Sequence, residues 1–216
     1  MSSEPLRPRA VSMAASDWDR RYGGADLVWS AEPNVWVREL CGAMVPGRAL
    51  DVAAGEGRNA LWLVEQGWDA VATDFSPVAV ARMVEIADRR LGTRRGAFTA
   101  LVADATHPAP GATASDLVLL VYLHLPRAQW RAALAAAVGA AAPGGAVLVI
   151  AHALRNLTEG VGGPQDASIL LDPDDVVESA AGLPLEVELS QVREREVPGA
   201  DRPALDTVVL FRRRAN

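Results

Sequence analysis

The sequence predicts an α/β protein with a doubly wound, mostly parallel sheet of seven strands that ends in an antiparallel hairpin. Three observations lead to this fold class. Short apolar runs alternate with helical patterns from Arg48 onward. The continuous apolar run at 116–122 is typical of a strand with both faces covered. Two last apolar runs, 185–192 and 207–212, predict an antiparallel pair that closes the sheet.

Composition narrows the possible functions. The chain has 216 residues, 50 % hydrophobic and 22 % charged, which predicts one globular domain. All basic residues are arginines, which excludes lysine Schiff-base chemistry and the lysine-dependent phosphate loop. One cysteine, Cys41, excludes a multi-cysteine zinc site, and the scattered histidines lack a helical metal motif, so we predict no metal.

Charge and hydropathy also bear on partners. The net charge of −6 disfavours a nucleic-acid partner. No apolar run reaches the roughly 18 residues that a membrane span needs, and no secretory signal precedes the domain. We therefore expect a cytoplasmic monomer or homodimer that binds a small molecule.

The first elements can be placed from their boundaries. We expect residues 1–16 to be flexible and the tryptophan-rich residues 17–46 to form a helical lid, as part of a single domain over 17–216. A strand at 49–53 runs into a glycine-bearing turn and a helix. After a second strand at 70–74, Ser76 and Pro77 are typical of the N-cap and first position of the next helix.

The remaining elements follow from apolar periodicity and from breakers such as Pro143-Gly144-Gly145. In order, they are a strand at 98–103, a strand at 116–122, a helix at 127–141, a strand at 146–151, a Gly-rich loop at 155–168, a helix at 172–181 and the two final strands.

Residues suited to binding a nucleoside stand where the first three strands end, which is where ligands bind in such sheets. The first group is a turn of small residues after Asp51, containing Ala53, Gly55 and Gly57, that lets a ligand approach the backbone. Asp74 ends the second strand and can accept hydrogen bonds from both ribose hydroxyls. Asp104 and its neighbour Ala105 end the third strand, where they could read an adenine edge.

Two cofactors could use this layout. A dinucleotide fingerprint needs glycine where the sequence has Ala53 and Arg58, so a nicotinamide-dependent oxidoreductase is the weaker alternative. S-adenosyl-L-methionine has a ribose and an adenine but an amino-acid head in place of the phosphates. Asp51 could orient the turn or meet the ammonium of that head. A non-catalytic module that binds the same cofactor stays open as a third possibility.

These motifs resemble those of class I S-adenosylmethionine-dependent methyltransferases. The similarity is greatest to the small-molecule branch that includes tellurite-resistance and thiopurine-type enzymes. It extends from about Trp18 to the end and is most specific at 50–62, at 73–76 and at Pro143-Gly144-Gly145. The resemblance implies methyl transfer from S-adenosyl-L-methionine to a small-molecule acceptor. One departure is Ala53, which replaces the first glycine of the motif.

The resemblance also implies a role for each matched position. Gly55 and Gly57 would line the methionine head, and Arg58 next to them is a further cofactor-binding candidate. The remaining cofactor-binding candidates are Asp74 for the ribose, Phe75 and Ser76 beside the adenine, Asp104 and Ala105 on the adenine edge, and Tyr122 next to the methionine and the methyl group.

The aromatic residues of the N-terminal segment allow two interpretations. Trp18, Tyr22, Trp29 and Trp36 either pack a helix onto the sheet or belong to a lid, with the first three closing over the cofactor.

Catalytic groups are harder to predict, because an in-line displacement needs a base only when the nucleophile arrives protonated. The candidates are His124, after the fourth strand, and His152, at the end of the fifth.

Overall fold

The computed structural model describes residues 31–109 and 111–215. Seven strands form one sheet in the order β3-β2-β1-β4-β5-β7-β6. They are β1 (Arg48–Val52), β2 (Asp69–Asp74), β3 (Phe98–Val102), β4 (Ser115–Val121), β5 (Ala141–His152), β6 (Leu185–Arg195) and β7 (Ala204–Arg213).

Helices connect these strands. They are α1 (Val35–Cys41), α2 (Arg58–Glu65), α3 (Pro77–Arg90), α4 (Arg127–Ala140), α5 (Asn156–Glu159) and α6 (Pro173–Ser179), with 3₁₀ turns at Gly92–Ala97 and Ala167–Ile169. Of the predicted helical lid over 17–46, residues 1–30 lie outside the described part of the chain, and α1 is the helix within the rest.

Pairing within the sheet confirms the predicted fold class. Strands β1 to β5 pair in parallel, while β7 is antiparallel to both β5 and β6 and lies between them. The strand order reverses beside β1, whose neighbours are β2 and β4. A ligand cleft is therefore expected at the carboxyl ends of β1 and β4.

Several boundaries follow directly from local chemistry. The Ser76 hydroxyl accepts the Ala79 N–H at 3.1 Å and begins α3, as predicted. Helix α4 ends at Ala140, ahead of Pro143, because Ala141 is already extended and pairs with Ser115 of β4. Strand β5 is therefore longer than the predicted 146–151.

Three further predicted boundaries shift. The segment 155–168 holds α5 and a 3₁₀ turn, so it is not a loop throughout. The last helix, predicted over 172–181, is observed as Pro173–Ser179. It begins with a capping box in which Asp172 is the N-cap. The final strands extend beyond the predicted 185–192 and 207–212.

The core has two layers, one on each face of the sheet. Helices α1, α2 and α3 cover one face, where Trp68 and Met83 are fully buried. Helices α4 and α6 cover the other, around Trp130 and Phe211. Double coverage explains why β4 is a continuous apolar run. Within the described ranges, no helix is both long and apolar enough to cross a bilayer.

Candidate functional site

The turn between β1 and α2 is built from left-handed residues. Ala53, Gly55 and Gly57 have φ angles of 56°, 59° and 82°. Gly57 could not carry a side chain, since an added Cβ would lie 2.5 Å from the Cγ of Met83. Ala53 holds the same backbone conformation with a methyl group, at a cost of about 1–2 kcal/mol relative to glycine. The small residues predicted here are thus required by the turn itself.

Asp74 fixes this turn from the end of β2. Its Oδ2 accepts the Gly55 N–H at 2.9 Å and its Oδ1 accepts the Ser76 N–H at 3.0 Å. The side chain is almost fully buried. A carboxylate has about four lone-pair sites, so it can accept from a ligand hydroxyl as well as from backbone N–H groups. The predicted role in ribose binding is compatible with this position.

Asp51 lies beneath the same turn and carries a half-satisfied carboxyl group. Its Oδ2 accepts the Ala60 N–H at 3.2 Å, near the start of α2. Its Oδ1 is buried and makes no hydrogen bond to the described residues. Burial raises the pKa of Asp51 to about 7, and the nearby Asp74 adds to the shift while Ala60 and Arg58 oppose it. A cationic donor such as an ammonium group would complete this carboxylate, so the residues present fit an amino-acid head.

The third strand end is open to solvent. The backbone N–H of Ala103 donates to the Asp74 carbonyl at 3.0 Å, which sets Asp104 beside the second strand end. Asp104 is exposed and accepts both the N–H and the hydroxyl of Thr106, which holds its pKa below the usual range. Ala105 borders a narrow cleft with Thr73. Phe75, predicted beside the adenine, is 38 % exposed.

A second polar cluster lies where β4 and β5 end and β7 begins. Sequence reasoning missed its central residue, Asp206. This carboxylate is fully buried. Its Oδ2 accepts hydrogen bonds from Trp36 Nε1 at 2.9 Å, the Tyr122 hydroxyl at 2.8 Å and Arg195 Nε at 2.7 Å. The one available signal was an acidic residue inside the apolar run of the last strand.

The two predicted histidines join this cluster through their rings. The ring of His152 stacks on Tyr122 at 4.6 Å between centroids and lies 5.7 Å from His124, with the two imidazoles nearly parallel. Tyr122 has a left-handed φ of 54° at the end of β4. Arg58 lies within electrostatic range of Tyr122, and burial lowers the pKa of this guanidinium. The cofactor turn and the histidine cluster are therefore neighbours.

Another cavity lies at the opposite edge of the sheet. It measures about 210 Å³ and is lined by Arg48, Asp69 and Thr99, near the strand starts. It does not touch any predicted site residue, and ligands of such sheets bind at the other edge. Across the described ranges, no group of three or more His, Cys, Asp or Glu side chains is placed to hold a metal.

Three predicted residues, Trp18, Tyr22 and Trp29, lie outside the described part of the chain. Their role in a lid stays a prediction. The fourth aromatic residue of that segment, Trp36, packs into the core and is 9 % exposed. For Trp36, the packing interpretation is confirmed.

A family model matches the segment of the chain that runs from β1 through β4. Residues 49–145 match the family model of the methyltransferase domain. Solved structures that share this fold include S-adenosylmethionine-dependent methyltransferases.

Three solved structures show the same fold. One, reported for the conversion of a disulfide bond into a thioacetal group during echinomycin biosynthesis, has a TM-score of 0.69 and 21 % identity, covering 90 % of this chain and 87 % of that one. The glycopeptide N-methyltransferase MtfA, complexed with S-adenosyl-L-methionine, has a TM-score of 0.66 and 19 % identity over 84 % and 95 % of the chains. TehB from Haemophilus influenzae has a TM-score of 0.64 and 18 % identity over 93 % and 67 %.

A curated relative matches over a shorter stretch. Hemagglutinin 1 of Eikenella corrodens is 42 % identical over 53 residues, which are 24 % of this chain and 18 % of that protein. This chain thus spans less than a fifth of that relative.

Proposed function

We propose that this protein transfers the methyl group of S-adenosyl-L-methionine to a small-molecule acceptor. The observation that carries the proposal is the row of adjacent strand ends at one sheet edge. Asp51 and the turn after it, Asp74, and Asp104 follow one another across β1, β2 and β3. A nucleoside with an amino-acid tail needs donors and acceptors in this order.

The residues present suggest how the cofactor would be held. The left-handed turn at Ala53–Gly57 leaves room for the methionine head, and the buried Asp51 Oδ1 would accept from its ammonium. Asp74 would accept the ribose hydroxyls, and Asp104 with Ala105 would meet the adenine. When bound, the cofactor supplies an electrophilic methyl group on a sulfonium; the chain orients it and excludes water.

A small acceptor is favoured by the segment between β5 and β6. Its described residues form α5, a 3₁₀ turn and α6, without an inserted domain that could grip a macromolecule. MtfA is a glycopeptide methyltransferase, and another structural neighbour is connected with echinomycin biosynthesis, so two similar folds work on natural products of modest size. The net charge of −6 also disfavours nucleic acid, and we propose the cytoplasm as the compartment.

Calorimetry with S-adenosylmethionine and S-adenosylhomocysteine tests the cofactor assignment. Asp74→Asn removes the charge but keeps the shape of the side chain, and should weaken binding by about 1.5–3 kcal/mol, or roughly 10- to 150-fold. Asp69→Asn is the matched control, because Asp69 is exposed at the other end of the same strand. Unchanged affinity in Asp74→Asn would remove Asp74 from the site. Tight NAD(H) binding by a chain that ignores S-adenosylmethionine would overturn the whole proposal.

The acceptor itself can be sought with a methyl donor that carries an isotope label. Mass spectrometry of a small-molecule panel or a cell extract would then report which compounds gain the labelled methyl group. Turnover that occurs with proteins or RNA but not with small molecules would contradict the proposed acceptor class.

A further inference from the structure

One oxygen of the buried Asp206 carboxylate is free to bind an additional donor. The three hydrogen bonds from Trp36, Tyr122 and Arg195 all go to Oδ2. Oδ1 lies 3.4 Å from Nδ1 of His152, and both atoms are buried and make no hydrogen bond to the residues that the structure describes. Because Oδ2 is held by three elements of the fold, the direction in which Oδ1 points is fixed.

The ring of His152 is held in one orientation. Tyr122 stacks on it, and Gly163 approaches so closely that an added Cβ would lie 2.9 Å from the ring. A proton on Nδ1 would point toward Asp206, which leaves a lone pair on Nε2. Nε2 makes no hydrogen bond to the described residues, and about a tenth of the side chain is exposed. His152 ends β5, at the carboxyl edge where the cofactor turn lies.

His124, the other predicted base, is in a different situation. Its Nε2 is buried among the described residues and makes no hydrogen bond to them, which leaves an acceptor no direct access to it there. Burial and the neighbouring His152 lower the pKa of His124 to about 4. No carboxylate orients its ring within the described residues. His124 is thus a neutral packing partner of the cluster.

We propose that His152 is the general base of this enzyme, that Asp206 is its positioning residue, and that the acceptor presents a hydroxyl group of the phenol or enol class. The inference rests on the proposed function and adds the chemistry of the acceptor. A neutral amine attacks through its own lone pair and can release a proton afterwards, whereas a hydroxyl must lose its proton as it attacks. A fixed Asp–His pair at the site can remove the proton of a hydroxyl acceptor.

The step balances in atoms and charge. Nε2 of His152 takes the hydroxyl proton while an oxygen electron pair forms the new O–CH₃ bond. The electron pair of the breaking S–CH₃ bond stays on sulfur, which turns the sulfonium into the neutral thioether of S-adenosylhomocysteine. The resulting imidazolium is stabilised by Asp206 and returns its proton to water.

Every charged or titratable neighbour of His152 affects this pair. Burial lowers the pKa of His152, Asp206 on β7 raises it, and Arg195 on β6 lowers it. Tyr122 and His124, just after β4, stack with the His152 ring. Arg58, at the start of α2, acts on the same cluster through Asp206 and Tyr122. His152 is therefore neutral at pH 7, the state that a base requires.

The tautomer can be measured without any cofactor. Nitrogen-15 NMR of the wild-type chain should show Nδ1–H and an unprotonated Nε2 for His152, assigned with His152→Gln and His107→Gln. In Asp206→Asn the titration of His152 should move to lower pH, because the raising charge is gone. Asp201 is an exposed acid in the β6–β7 connection, so Asp201→Asn should leave the titration of His152 unchanged. Nε2–H in the wild type, or an unmoved titration in Asp206→Asn, would overturn the proposal.

Activity on hydroxyl acceptors gives the second readout. At neutral pH, His152→Gln should lower kcat by roughly 100-fold or more while cofactor affinity by calorimetry stays unchanged. The loss should shrink as pH rises through the pKa of the acceptor hydroxyl, since solvent then removes the proton. Full activity of His152→Gln, or turnover of amines but not hydroxyls, would refute this base. A wild-type chain that does not bind S-adenosylmethionine would instead refute the proposed function, and the NMR result would still stand.

Discussion

Two buried ionisable groups, Asp51 and His124, should change the stability of the protein in opposite directions as pH changes. Burial raises the pKa of Asp51 from 3.8 to about 7 and lowers that of His124 from 6.5 to about 4. The stability that Asp51 provides is complete below pH 3.8 and is lost as the pH rises toward 7. The stability that His124 provides is complete above pH 6.5 and is lost as the pH falls toward 4. In wild type the two effects offset each other between about pH 4.5 and 6.

Asp51→Asn removes the contribution of Asp51 to the pH dependence of stability, so that the contribution of His124 can be measured. Asparagine can still accept the Ala60 N–H, so the packing cost of the substitution is nearly constant with pH. In this window the unfolded wild-type chain has lost the Asp51 proton that the folded chain keeps. The difference in unfolding free energy, variant minus wild type, should therefore increase with pH by about 1.4 kcal/mol per unit, the value for one proton.

Denaturant unfolding at several pH values across this window measures the slope. His124→Gln should give a slope of opposite sign, and the exposed Asp69→Asn should run parallel to wild type. Unfolding must be two-state for both variants, which coincident fluorescence and circular dichroism transitions would establish. An Asp51→Asn curve parallel to wild type would show that Asp51 ionises normally in the folded chain, and the argument from burial would be wrong.

Further predictions concern the turn and the cofactor. Ala53→Gly should leave thermal stability unchanged or raise it by up to about 1 kcal/mol, because relief of left-handed strain exceeds the added chain entropy. Gly57→Ala should lower stability by about 2–4 kcal/mol, since its methyl would meet Met83 at φ 82°. A wild-type unfolding midpoint in Gly57→Ala, or a lowered midpoint in Ala53→Gly, would contradict the corresponding prediction. Cofactor binding below pH 7 should release a proton as the ammonium joins Asp51, seen as a buffer-dependent binding enthalpy that Asp51→Asn abolishes.

Most of the fold could be predicted because its signals are local. The cap at Ser76-Pro77 and the apolar run of β4 each depend on a few consecutive residues. The same is true of the β1–α2 turn, where small residues are needed whatever lies far away in the chain. Boundaries that depend on tertiary pairing were predicted less well. Ala141 becomes part of β5 through its pairing with Ser115, which nothing near position 141 indicates.

The histidine cluster could be predicted only in part from one sequence. His152 and Tyr122 could be proposed because they end strands of the parallel sheet. Asp206 and Arg195 lie on antiparallel strands, so the residues at this edge of the sheet come from the beginning of β7 and the end of β6. Only the sheet order brings them to Trp36, far away in the sequence. No local pattern carries that information.

The interior position of β7 has a consequence for synthesis on the ribosome. Strand β6 is translated first, yet it borders β7 alone, and β7 borders β5. Until β7 emerges, β6 has no partner strand and Asp206 cannot meet its three donors. A nascent chain stalled before Ala204 could already hold β1 to β5 and the nucleoside edge, but its histidine pair would lack a counter-charge. The Asp206 cluster can therefore form only after β7 has been translated.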